Sequence, residues 1–285
     1  VKVDHQTPSS RWYSGSGIYR SVSLTTTNDV HVDLNGIKVE SNNLAKEAGK
    51  TVNTDIKTTV INDSKEAQNV TVTHTVFKKG EKPDKAIGTF TTEAQEIGAG
   101  KKAEISATVP VKNPELWSVE NPALYTIRTE VKAGDKLLDS YDTEYGFRYL
   151  NFDTETGFQL NGKNVKLKGV CMHHDQGALG AVANRRAIER QVEILQEMGC
   201  NSIRVTHNPA SKDLIEVCNE KGVLVIEEVF DGWHRAKNGN NNDYSAWFDK
   251  VIEENNTILG KEDGMTWAEY DLKAIMKRDL NAPSV

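Results

Sequence analysis

The spacing of hydrophobic positions changes along this chain, and the changes divide it. From about residue 27 to residue 148 the period is two. Val30, Val32 and Leu34 alternate with polar neighbours, as do Val52, Thr54, Ile56, Thr58 and Val60. The same holds for Val70 to Val76, for Ala103 to Val109, and for Tyr125 to Val131. Alternation of this kind marks strands with one face buried. Turn-forming clusters lie between them: Asn35-Gly36, Asn62-Asp63-Ser64, Lys79-Gly80, Gly98-Ala99-Gly100 and Ala133-Gly134-Asp135. Some 120 residues of short alternating strands predict an immunoglobulin-like β-sandwich. His74 sits on one of these strands and reads as a sheet residue, not a ligand.

After residue 149 the period lengthens to that of helices alternating with strands. Leu160-Asn161-Gly162-Lys163 predicts a hairpin turn. The strand that follows, Val165 to Met172, is expected to become more buried toward its C-terminal end. Ala187, Ile188, Val192 and Leu195 share a helix face, with Asn184 as N-cap and Gly199 as the stop. A strand over 201–206 ends at His207-Asn208-Pro209. Ser211 caps a helix that stops at Gly222, and Val223 to Ile226 is a third strand ending at Glu227-Glu228. Thr266 and Glu269 form a capping box for a further helix. Strand and helix repeating about every 30 residues predict parallel βα units, of which about three are present.

Before residue 27 the signal is weaker. Gly15 and Gly17 punctuate a loop, and Ile18 to Leu24 predict a strand with polar groups on both faces. Arg11, Trp12 and Tyr13 offer either a packed sandwich edge or an aromatic and guanidinium surface for a sugar. The chain opens in mid-pattern at Val1-Lys2-Val3 and is expected to be an internal piece of something longer.

Composition removes several function classes. The 285 residues carry 27% charged side chains and a net charge of -6, spread along the chain without a basic stripe for nucleic acid. No apolar run approaches membrane-spanning length, and the N-terminus carries no signal-peptide pattern. Cys171, Cys200 and Cys218 all fall on elements expected to be buried, and read as core hydrophobes and not as a disulfide frame or zinc site.

The candidate chemistry sits at strand ends. His173, His174 and Asp175 follow the first barrel-like strand, His207 the second, and Glu227 and Glu228 the third. Titratable groups at the C-terminal ends of parallel strands are where α/β barrels place their chemistry. Glu227 and Glu228 are adjacent on one strand and so point to opposite faces, which prevents them from flanking a single bond.

Seven motifs, in register along the chain, resemble glycoside hydrolase family 2, most closely its bacterial β-galactosidases. RWYSGSGIYR resembles the end of that family's sugar-binding jelly roll. LWSVENPALYTI and YGFR resemble the end of its immunoglobulin-like domain. LNGKNVKLKGVCMHHD, IRVTHNP and VIEEVFDGW resemble the first three barrel strands, and RDLNAPSV the approach to the fourth. The resemblance implies a multidomain β plus α/β architecture: residues 1–26 as the end of a jelly-roll sandwich, 27–148 as the immunoglobulin-like sandwich, and 149–285 as the N-terminal portion of a (β/α)8 TIM barrel. It also implies a retaining mechanism with two glutamates, both expected beyond Val285, so that the chain alone carries no catalytic residue. What carries over is a substrate-binding wall: His173 and His207 as sugar-holding histidines, Asp175 and Glu228 beside them, and Arg11 where several relatives place an aspartate. The stretch Phe230-Asp231-Gly232-Trp233 lacks the glutamate and histidine that some relatives use for magnesium, so neither a metal nor another cofactor is expected. The expected partner is a β-galactoside. Alternatives are another specificity of the family, such as β-glucuronidase or β-mannosidase, or a non-catalytic carbohydrate-binding piece. The source is expected to be bacterial, cytoplasmic or cell-surface. The truncated barrel edge is expected to promote self-association.

Overall fold

The computed structural model describes residues 17–231 and 246–285. Two antiparallel sheets come first. One holds β1 (Val30–Glu40), β2 (Thr51–Asn62) and β6 (Lys101–Lys112) in the order β1-β2-β6. The other runs β4 (Gly88–Thr91), β3 (Gln68–Lys78), β7 (Tyr125–Ala133), β8 (Lys136–Tyr145), with β5 (Gln95–Ile97) paired to the far end of β3. Alternate residues of each long strand turn inward. Val52, Ile56, Val60, Val70, Val72, Val76, Val109, Ile127 and Val131 form one continuous core between the sheets. This is the immunoglobulin-like sandwich that the alternation predicts. A short helix, α1 (Leu44–Glu47), plugs its side with Leu44.

Local expectations are corrected at two places. Asn35-Gly36 does not end a strand: β1 runs through it, Asn35 takes φ 52°, and the pairing with β2 shifts register between Val32 and Ile37. The pair therefore makes a bulge, and Leu34 turns outward, 56% exposed. The strand expected from Ile18 to Leu24 does not form among the described residues. The segment is irregular, and Val22 and Leu24 face solvent because no neighbouring strand pairs with it there. Arg11, Trp12 and Tyr13 lie outside the described residues.

His74, on β3, is fully enclosed in the sandwich core. Its Nδ1 lies 3.0 Å from Thr129 Oγ1 and its Nε2 3.4 Å from Thr58 Oγ1. A hydroxyl can either donate or accept, so both ring nitrogens of a neutral imidazole are served. Burial holds its pKa down to about 4.

A small meander of β9 (Leu150–Asp153), β10 (Gly157–Leu160) and β11 (Lys163–Asn164) joins the sandwich to the parallel sheet. Asn161 and Gly162 have φ 53° and 76°, the left-handed pair that a two-residue hairpin of this type requires. The parallel sheet then runs β12 (Gly169–Met172), β13 (Ser202–Val205), β14 (Leu224–Glu227) in that order. Helix α2 (Arg185–Glu197) connects the first two, α3 (Lys212–Lys221) the second two, and α4 (Trp267–Asp279) follows. All three caps form as expected: Asn184 accepts from Ala187 N–H, Ser211 from Leu214 N–H and Thr266 from Glu269 N–H. This is the opening part of a TIM barrel. No helix among the described residues is long and apolar enough to cross a membrane.

The expected inward burial of the first parallel strand is also corrected. Among the described residues β12 is an edge strand with a neighbour on one side only, and Cys171 is exposed; Cys200 is half-buried and Cys218 buried. The side chains that face the helices, Ile203, Val205 and Val225, are buried, whereas Cys171, Arg204 and Ile226, aligned across the three strands, remain open.

The sandwich and the parallel sheet share a wide seam. Trp117, fully buried, donates its indole N–H to the carbonyl of Asn219 at 2.8 Å and packs with Leu124, Leu160 and Leu224. Asn281 accepts from Val39 N–H and donates to the Ile37 carbonyl. Gly222, at φ 70°, ends α3 against the sandwich linker, where a Cβ would sit 2.4 Å from the Val119 carbonyl oxygen.

Candidate functional site

The strand ends of β12, β13 and β14 lie side by side because the pairing is parallel and in register: Met172 beside Val205, and Val205 beside Glu227. Each strand therefore delivers its next residues to one rim. His173 and His207 meet there edge to face, their ring centroids 5.7 Å apart. Glu228 reaches across from β14, and its Oε2 is 2.9 Å from His207 Nδ1. A carboxylate can only accept, so Nδ1 carries a proton and donates it to Glu228. The other carboxylate oxygen of Glu228 accepts from Arg204 Nε at 2.7 Å. His207, Glu228 and Arg204 thus hold one another in fixed planes.

Glu227 faces the opposite way, as strand geometry requires. Its Oε1 accepts from Ala210 N–H at 2.9 Å and from Arg278 Nη2 at 3.0 Å. Arg278 also binds Asp279. Burial, then the neighbouring Asp279 carboxyl, pushes the Glu227 pKa up. The first contact ties the loop after His207 to the end of β14.

Asp175 stands apart from the His207–Glu228 pair. Its carboxylate accepts from Gly177 N–H at 3.1 Å, and its carbonyl accepts from Gln191 of α2. Those bonds shape the turn that follows His174. His174 stacks on Tyr19 with ring centroids 4.7 Å apart. Burial lowers its pKa, helped by the nearby charges of Arg20 and His173. Arg20 in turn donates to the Pro209 carbonyl. The described part of the N-terminal segment is therefore stitched to both histidine loops, and a cavity of about 30 Å³ between Tyr19, His174, Pro209 and Leu214 lies behind them. No group of three or more His, Cys, Asp or Glu that could hold a metal occurs among the described residues.

Sequence reasoning passed over Arg204, Tyr19 and Arg20. For Arg204 a signal existed: it is a cation between Ile203 and Val205 on an otherwise apolar strand. Such a residue needs a carboxylate within reach. Tyr19 and Arg20 carried no such signal, because the segment around them reads as an ordinary alternating strand.

The arrangement can bind hydroxyls. It presents imidazole groups of set orientation and a carboxylate on one rim, with ring faces beside them. A neutral imidazole donates one directed hydrogen bond and accepts another without a change of net charge, and the carboxylate accepts.

Comparison with known proteins agrees with both halves of the fold. The sequence profile of glycosyl hydrolases family 2 matches residues 30–148, and that of the family 2 TIM barrel domain matches residues 154–285. A β-galactosidase from Bacteroides ovatus is 39% identical over all of this chain and 31% of its own length. A β-glucuronidase from Bacteroides fragilis is 30% identical over 48% of this chain and 20% of its own length. The crystal structure of a glycosyl hydrolase family 2 member from Bacteroides cellulosilyticus superposes with a TM-score of 0.84 at 34% identity, covering 96% of this chain and 32% of that one. The chain thus spans about a third or less of the length of these relatives. With two family profiles accounting for both the sandwich and the parallel sheet, in order, the chain belongs to glycosyl hydrolase family 2.

Proposed function

We propose that this chain supplies the sandwich and the sugar-holding wall of a retaining glycoside hydrolase that cleaves terminal β-galactosides. His207 is the central residue of that wall. Glu228 fixes its tautomer through the 2.9 Å contact, so that its Nε2 meets a sugar hydroxyl, with His173 beside it; Asp175 is proposed to contribute from the turn after His174, apart from that pair. Arg11 remains a proposed contributor from outside the described residues. The acid/base and nucleophile glutamates are assigned to barrel strands other than β12 to β14. A retaining pair needs two carboxyls about 5–5.5 Å apart across one glycosidic bond, whereas Glu227 and Glu228 are turned to separate partners. The 285-residue chain on its own is therefore expected not to turn over β-galactosides.

The observation that best supports this reading is the His207–Glu228 pair at the C-terminal rim of parallel strands, together with similarity, over all of this chain and 31% of the relative's length, to a protein named as a β-galactosidase. The second reading is a β-glucuronidase, favoured by relatives of that name. In the full-length polypeptide, His207→Ala should lower kcat/KM on an aryl β-galactoside by the equivalent of about 2–4 kcal/mol, as expected for lost transition-state hydrogen bonds. Unchanged kinetics with a lowered Tm would make His207 a packed structural residue instead.

A further inference from the structure

His207 stands on a short loop between β13 and α3 that makes little structure of its own. Among the described residues, no backbone-to-backbone hydrogen bond involves residues 207–210. Pro209 has no N–H to offer. Ala210 is nevertheless only 2% exposed, so the peptide that joins Pro209 to Ala210 needs partners from elsewhere. It has one at each end. The Pro209 carbonyl accepts from Arg20 Nη2, and the Ala210 N–H donates to Glu227 Oε1 at 2.9 Å. Arg20 comes from the segment ahead of the sandwich, Glu227 from the end of β14. A guanidinium at the oxygen and a carboxyl oxygen at the hydrogen match both ends of the peptide dipole, and the guanidinium makes its bond of the stronger, charge-assisted kind.

Both clamping groups are themselves held. Glu227 Oε1 also accepts from Arg278 Nη2 at 3.0 Å, and Arg278 binds Asp279. Arg20 lies over the Tyr19 ring, its guanidinium carbon 5.2 Å from the ring centroid. Tyr19 stacks on His174, and its carbonyl accepts from Ala183 N–H at 2.8 Å. Tyr19 and Arg20 are thus wedged between the loop after β12 and the loop after β13. Glu228 fixes the plane of the His207 ring. The clamp on the 209–210 peptide fixes the backbone just beyond that ring.

We propose, resting on the sugar-holding reading of this rim, that Arg20 and Glu227 are positioning residues for His207, and that Arg20 makes the segment ahead of the sandwich a working part of the sugar-holding wall. Neither side chain needs to touch sugar. Without the clamp the 209–210 peptide is free to turn, and His207 moves with it. A misplacement of about 1 Å in an oriented group costs about a hundredfold in rate.

In the full-length polypeptide, Arg20→Ala should lower kcat/KM on an aryl β-galactoside by about 10- to 100-fold. Arg20→Lys, which keeps a cationic donor, should restore most of it. Glu227→Gln, which keeps an oxygen for the Ala210 N–H, should stay close to the parent, whereas Glu227→Ala should lose about as much as Arg20→Ala. Because Arg20 acts through His207, Arg20→Ala combined with His207→Ala should be no slower than His207→Ala alone. In the 285-residue chain with isotopically labelled histidine, NMR should show the His207 ring signals shifted by Arg20→Ala, restored in Arg20→Lys, and those of His74 in the sandwich core left in place. Losses that multiply in the double variant, His207 signals unmoved by Arg20→Ala, or a Glu227→Ala protein as fast as the parent would each overturn the proposal. So would a lowered Tm in Arg20→Ala with kcat/KM per folded molecule intact, which is the mark of a purely structural role. Unchanged kinetics in His207→Ala would instead be a failure of the wall itself, and the shift of the His207 ring does not depend on that outcome.

Discussion

The sandwich core carries a titratable group whose effect on stability can be worked out in advance. In the folded chain His74 is enclosed, its ring nitrogens served by the hydroxyls of Thr58 and Thr129, and burial holds its pKa to about 4. In the unfolded chain it titrates near its ordinary value of about 6.5. Between those values the unfolded state binds a proton that the folded state does not, so stability falls as pH falls. The stabilising contribution is fully present above about pH 6.5 and is lost progressively toward pH 4. With 1.36 kcal/mol per pKa unit, the folded state should lose about 2 kcal/mol between pH 7 and 5, and about 3 kcal/mol by pH 4. Urea unfolding of the chain and of His74→Gln should therefore diverge. The variant, with an amide that does not titrate, should show a pH dependence shallower by about 2 kcal/mol over the same interval. An NMR titration of the His74 ring gives the folded pKa directly. Equal pH slopes in the two proteins, or a ring that titrates near 6.5, would refute the reasoning, for then the imidazole is reached by water and the hydroxyl pairing does not hold.

Three further outcomes are expected. Gly222→Ala should destabilise the chain by about 2–4 kcal/mol, read as a lowered Tm, because it places a Cβ at positive φ against the Val119 carbonyl; a change within about 0.5 kcal/mol would mean the seam yields freely. Trp117→Phe should cost about 1–2 kcal/mol through the Asn219 carbonyl left without its indole donor, again by urea unfolding, and an unchanged midpoint would show water replacing it. The 285-residue chain should self-associate through β12 and the open face beside Ile226, giving sedimentation coefficients that rise with concentration; a monomer at every concentration would count against that edge as sticky.

Much of this fold was legible because it rests on local chemistry. The five long sandwich strands announce themselves by alternation, and Asn184, Ser211 and Thr266 each cap the helix their spacing predicts. What was not legible depends on distant partners. β8 escaped notice because Leu137 and Leu138 break its alternation, and the strand takes its place only by pairing with β7 across a bulge. Asn35 reads as a turn in any local window; only its register against β2 makes it a bulge. Ile18 to Leu24 has strand-like composition but gains no partner among the described residues. At the rim, His173, His207 and Glu228 could be placed from strand ends alone. That Arg204 clamps Glu228, and that Glu227 anchors the loop after His207, follow from side chains meeting across three strands that no single stretch of sequence contains.

Substrate preference is the property on which the account depends most. The measurement is kcat/KM of the full-length polypeptide on matched aryl β-galactoside and aryl β-glucuronide, with NMR of the first sugar product to read the anomer formed. The account predicts turnover of the β-galactoside in clear preference, with the β-anomer released first. Preference for the glucuronide, or release of the α-anomer, would contradict it.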